Sequence, residues 1–348
     1  MGTPSTHQLR EMSVTRLRSL LLLFSLCASL GSAQQYTIKF ATVAPEGSTW
    51  MNVMREYDAA VRKESNGRLG FRIYGANIQG DEKTVLRKIR VGQIQAGGFT
   101  GVGMGEIAPK VRILDSPFLA RTYAEIDFLY ETFDAEFQQA FEEGGYVLLG
   151  WAEVGFVHVF TNTLIQKPED LRKMKIWTWE GDPVAEAAFG ALGINPIPLS
   201  ITDVLTSLQT GLVDAFYTSP LAAVALQWFT RVKYIVEAPL ADASGAVLIS
   251  KKYYDQLPND LQEILLRNGK KYMTKLTHMS RDENKNALEV LKRHGLQMIK
   301  VKEQDLTEYI RAGARARRSL VGKLYSEEFL NRVERSLTEF KNNHRASK

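Results

Sequence analysis

Cysteine is nearly missing from this chain: the single one among 348 residues is Cys27, within an amino-terminal segment that reads as an export leader. A mature chain without thiols excludes cysteine catalysis, disulfides and cysteine-ligated metal. Histidine is scarce too. His158, His278, His294 and His344 have no metal-like spacing, and no H-E-x-x-H or G-x-S-x-G pattern occurs. Past the leader no run approaches the ~18 apolar residues of a membrane-spanning helix. Excess charge of one sign is also small. The leader holds three arginines and one glutamate, so its loss lowers the formal charge from +5 to +3, which makes no case for nucleic acid. Gly101-x-Gly103-x-Gly105 has Glu106 where a phosphate loop needs glycine, and no lysine follows, so it reads as a flexible turn. Arg311, Arg315, Arg317 and Arg318 spread around a helix as a solvated face. Neither a catalytic apparatus nor a cofactor is expected.

What is present is a globular composition, 45% apolar and 24% charged, long enough for two domains. Residues 1–33 have the secretory pattern: Arg10, Arg16 and Arg18, a short apolar run from Ser19 to Leu30, then Gly31-Ser32-Ala33. Leu26 is bulky where a lipoprotein signal at Cys27 needs a small residue. After the leader, Tyr36–Thr42 alternates as a strand. Ser48 or Thr49 caps a helix whose apolar face is Trp50, Val53, Met54, Tyr57 and Val61, and Asn66-Gly67 ends it. Leu69, Phe71 and Ile73 form a second strand, which makes a right-handed β-α-β unit. A helix opens at Gly80-Asp81, and Ile94–Thr100 returns to the sheet. The second half repeats this order. Met174–Trp179 is a strand, Asp182-Pro183 starts a helix that Gly193 closes, and Ile197–Leu199, a helix and Leu212–Tyr217 follow. From Pro258 to about His294 the pattern is helical for over thirty residues, with a break in it left open. Two doubly wound α/β lobes are expected.

The segment from Leu171 to Leu199, LRKMKIWTWEGDPVAEAAFGALGINPIPL, followed by TDVLTSLQTGLVD from Thr202 to Asp214, resembles the DctP-type solute-binding proteins of tripartite ATP-independent periplasmic (TRAP) transporters. Phe40–Ser48, Ile78–Asp81 and Leu257–Gln262 agree with it, and the resemblance runs from about Tyr36 to Phe340. It implies a type II periplasmic binding protein-like fold: two lobes, a ligand cleft, hinge strands and a long helix spanning both lobes. Lobe I is expected at 34–156 plus 246–284, and lobe II at 157–245 plus 285–348. The resemblance also implies a periplasmic monomer that delivers a small-molecule ligand to a permease of two integral subunits.

The departure from that family is as informative as the match. Members keep an arginine in the strand where this chain has Trp177, and some keep a second where it has Val157; both would clamp a ligand carboxylate. An arginine fork gives a bidentate, charge-assisted pair worth about 1.5–3 kcal/mol, and an indole has one N–H donor and no charge. Its wide apolar face favours an apolar or aromatic ligand, and attracts cations. The expected wall is Trp177, Trp179, Phe216 and Tyr217 with Phe99, Thr100 and Met104. Val43 and Ala44 lie in a covering loop, and Glu180, Asp81 and His158 are polar candidates. Alternation puts Trp177 and Trp179 on one face of their strand, so packing beneath a helix is the competing reading for both. A sensor or envelope role on the same scaffold stays open, as does, more remotely, a hydrolase.

Overall fold

The structure, a computed structural model, describes residues 35–165 and 167–346. The leader expected at 1–33 and its cleavage site lie outside them.

The first sheet is built on β1 (Tyr36–Thr42), β2 (Leu69–Tyr74) and β3 (Ala96–Thr100), which run parallel, joined by α1 (Thr49–Glu64) and α2 (Glu82–Arg90). It is not wholly parallel. β11 (Gly245–Ser250) inserts antiparallel between β3 and β4 (Tyr146–Trp151), giving the order β2-β1-β3-β11-β4. Ser48 caps α1, and the helix buries Val53, Met54, Tyr57 and Val61 as its spacing predicts. Trp50 at the start of the helix is half-buried and packs against the edge of the same core. A short helix α3 (Gly101–Gly105) follows β3, and helix α4 (Tyr123–Glu143) covers the other face of this sheet.

The second lobe centres on β5 (Gly155–Thr161). Strands β8 (Ala215–Thr218), β9 (Tyr234–Val236) and β10 (Ala241–Ala243) all pair antiparallel with it, and β12 (Gln297–Ile299) adds parallel to β9. β6 (Trp177–Trp179) and β7 (Ile197–Leu199) form a short parallel pair, bridged to β8 through Ile176 and Ala215. Helices α5 (Pro183–Ala191), α6 (Val204–Thr210) and α7 (Pro220–Ala225) follow β6, β7 and β8 in turn. Asp182 caps α5 by accepting from the Val184 amide, with Pro183 at the first helical position.

Two strands cross between lobes, at Ala152–Val154 and Ala243–Gly245, held by Ala152 N to Gly245 O and Val154 N to Ala243 O bonds of 2.7 and 3.0 Å. A Cβ on Gly245 would sit 2.1 Å from Ala152 O, so this crossing requires glycine. The expected long helix is α8 (Asn259–Arg293), unbroken. Its early residues Leu261, Leu265, Met273 and Leu276 complete the first lobe's core, and Leu291 enters the core beneath β6. It therefore spans both lobes.

One expected boundary is corrected. Helix α9 (Glu303–Ser319) packs on α5 as lobe II, but the last helix, α10 (Glu327–Ala346), packs back on α4 of the first lobe. Phe329, Leu330, Val333 and Leu337 are its buried face, and Phe340 stacks on Phe128 at 4.4 Å. This stripe meets the apolar face that α4 leaves open, so the chain past about 326 does not belong to the second lobe.

Candidate functional site

A cavity of about 550 Å³ lies between the lobes. First-lobe walls are the loop from Thr42 to Thr49, Trp50, and the carboxyl end of β3 at Gly98–Thr100. Strand ends are where open α/β sheets present ligand sites. The second lobe adds β6, α5, the end of β8 and α7, and both crossing strands close the base.

Of the residues expected from sequence, Val43, Ala44, Phe99, Thr100, Trp177, Trp179 and Tyr217 line this cavity. Trp177 is only 2% exposed. Its Nε1 donates to Leu199 O at 3.0 Å, so its one polar group is spent inside the lobe. Its ring stacks on Tyr217 with centroids 5.3 Å apart and meets Trp228 edge-on at 5.3 Å. Trp177 is therefore packed in an aromatic cluster and also lines the cavity. Val157 also lines the cavity.

Five expected residues lie elsewhere. Phe216 neighbours Tyr217 in β8, so alternation turns it inward, where it stacks on Phe160 at 4.8 Å. Glu180 follows Trp179 and is exposed. Met104 is fully buried in the first lobe's core. Asp81 caps α2, accepting from Thr84 N at 2.8 Å. His158 is buried in β5 with Nδ1 2.8 Å from Val236 O, and burial lowers its pKa.

The expectation of a cleft without a guanidinium is corrected. Arg112, from the 3-10 turn Pro109–Ile113, lines the cavity and is 4% exposed. It is paired with two acids. Its Nη2 donates to Asp182 Oδ1 across the lobes at 2.7 Å, and its Nε is 2.9 Å from Asp115 Oδ2. Asp115 is itself fixed by the Ser244 amide and hydroxyl at 2.8 and 2.6 Å. Burial opposes the charge on Arg112, but Asp182 and Asp115 outweigh it and raise its pKa. One cation facing two carboxylates leaves no net positive charge. No run of residues signals this: Asp182 reads as a helix cap, which it is, and its second role appears only when the lobes meet.

Glu82 at the start of α2 is also in the wall. It accepts from Thr100 N, Thr100 Oγ1 and Gly103 N at 2.8, 3.0 and 2.7 Å. Burial nevertheless pushes its carboxyl from 4.5 up to about 7. The unfolded chain loses that proton near 4.5, so Glu82 stabilises the fold fully only below that pH. The contribution, about 3 kcal/mol, is lost as pH rises through 7. Urea unfolding of ligand-free protein from pH 5 to 8 should show this decline, and Glu82→Gln should flatten it; an unchanged slope in the variant contradicts the assignment.

Among the described residues no cluster of histidine and acidic side chains suits a metal, and no helix is long and apolar enough to cross a membrane. The arrangement forms a cavity of small-molecule size.

Comparison with known proteins agrees. The chain is 23% identical to the 2,3-diketo-L-gulonate-binding periplasmic protein YiaO of Escherichia coli K12, over 78% of this chain and 83% of that one. A TRAP periplasmic solute-binding protein of Haemophilus influenzae, solved with bound L-gulonate, superposes with a TM-score of 0.81 at 20% identity, covering 87% and 99% of the two chains. The Bordetella pertussis receptor DctP7, solved with pyroglutamic acid, gives 0.80 at 20% identity, covering 86% and 99%. The model of the DctP family, bacterial extracellular solute-binding protein family 7, matches residues 40–322, and the chain belongs to that family of solute-binding receptors.

Proposed function

We propose that this receptor captures a small apolar or aromatic molecule between its lobes, in the periplasm after removal of its leader, and delivers it to a two-subunit TRAP permease. The observation that carries the ligand class is Trp177. By the resemblance it stands where family members would keep a clamping arginine, its N–H is spent on Leu199 O, and its ring joins Trp179, Tyr217 and Trp228 in one cluster. A mostly apolar cavity of this size suits a small organic molecule.

The competing reading is a sugar acid, as in the gulonate-bound relative, with Arg112 as its partner. A carboxylate would then have to share Arg112 with Asp182 and Asp115, both buried and both negative, and would recover only part of an arginine fork's usual worth.

A thermal-shift panel on ligand-stripped protein separates the two. A ligand that favours the folded state raises the melting temperature by mass action. We expect 2-phenylethanol to raise it and D-glucuronate at equal concentration to leave it unchanged. The reverse pattern would sink the apolar reading.

A further inference from the structure

The cavity is greasy on one side and acidic at its base. Among its lining residues are Glu46, Glu82, Asp115, Asp182, Asp242 and Glu283, and Arg112 is the one lysine or arginine among the described residues there. Arg112 answers Asp115 and Asp182. Glu46 pairs with Arg55 outside the wall, and Glu283 accepts from the Thr49 hydroxyl.

Asp242 is different. It lies in β10 where a crossing strand closes the base, is 2% exposed, and neither of its carboxylate oxygens has a hydrogen-bond partner. The nearby cation, Arg281 of α8, is spent on others: it donates to Glu153 and to Asp127, with closest bonds of 2.6 Å to each. Three further atoms of cavity-lining residues, Ser280 Oγ, Asp115 Oδ2 and Arg112 Nε, are likewise buried without hydrogen bonds, the last two facing each other as an ion pair at 2.9 Å. Buried polar atoms without partners are rare in folded proteins, and each points to a missing group. Here the orphans are mainly acceptors, so the group they lack is a donor.

We infer that the ligand is an organic ammonium, its charged head seated at Asp242, Ser280 and Asp115 and its apolar body against the tryptophan cluster. An ammonium supplies three donors and the one charge that this base lacks. Tryptophan and tyrosine faces favour the same ligand, because their ring quadrupoles attract cations in a desolvated site. Burial, with Glu153 and Asp115 close by, holds the Asp242 carboxyl well above the ordinary carboxylate range. A cation beside it provides the missing countercharge and favours the ionised form. The inference rests on the apolar-cleft reading and adds the charge.

The test is calorimetric titration of ligand-stripped protein at pH 7 with three molecules of similar size: 2-phenylethylammonium, 2-phenylethanol and 3-phenylpropionate. The ammonium should bind on the order of tenfold tighter than the alcohol, as one charge-assisted hydrogen bond implies, and the propionate weakest. Asp242→Asn should bring the ratio of ammonium to alcohol close to one, and Ser280→Ala should reduce it. Circular dichroism melts verify that each variant folds; should Asp242→Asn not fold, the wild-type ranking and Ser280→Ala decide. Alcohol binding as well as ammonium, or a ratio unmoved by Asp242→Asn, overturns this inference and leaves the apolar reading standing. Silence from all three together with binding of D-glucuronate sinks the apolar reading itself.

Discussion

Arg112→Met is expected to cost about 3–5 kcal/mol of stability, the usual penalty for removing one partner of a buried ion pair. Arg112 is bonded across the lobes to Asp182 and sits beside Asp115, each of the three no more than about a tenth exposed at its side chain. Methionine fills the space and removes the charge, leaving two buried carboxylates with nothing opposite. Asp182 keeps its amide bonds at the start of α5, but Asp115 keeps only the Ser244 donors. Adding Asp182→Asn to Arg112→Met should recover part of the loss, because one orphaned charge is gone; contacting residues of this kind do not add independently. Urea unfolding of ligand-free protein measures both. A loss under about 1 kcal/mol would mean that the pair is solvated and that Arg112 is available to a ligand, which contradicts its commitment to the two aspartates.

Trp177→Ala carries the second large effect, and it falls on stability and binding together. Truncating a buried aromatic to alanine costs about 3–5 kcal/mol, and here the ring supports Tyr217 and Trp228 as well as facing the cavity. A neutral aromatic ligand should lose about tenfold or more in affinity, since ring–ring contact is worth about 0.5–1.5 kcal/mol beyond the area it buries. Trp177→Phe should keep most of both, losing the bond to Leu199 O. Denaturation and titration calorimetry read the two effects separately. Normal affinity in a folded Trp177→Ala protein would show that Trp177 only supports the lobe.

The elements were legible because punctuation and period agree. Pro258 and Gly295 bracket α8 in the sequence, and the helix fills that interval. Asp182-Pro183 starts α5 as capping rules require. In the site, period two alone separates hits from misses along two strands: Trp179 and Tyr217 reach the cavity, and their neighbours Glu180 and Phe216 point away. The contacts that set the cavity's charge were not legible. Arg112 and Asp182 are 70 residues apart, on different lobes, and each has an ordinary local explanation. Trp50 reads as one more apolar helix position, yet it lies at the cavity edge of α1. The return of α10 to the first lobe has no local signal either, since an amphipathic stripe does not say which neighbour it meets.

Everything proposed for the ligand depends on a cleft that grips without a free guanidinium. The dissociation constant of D-glucuronate for ligand-stripped wild-type protein, set beside that of 2-phenylethanol, tests it most directly. Weaker binding of the acid is predicted, by on the order of tenfold or more. Tighter binding of D-glucuronate, lost in a folded Arg112→Met protein, would contradict it and make Arg112 the clamp.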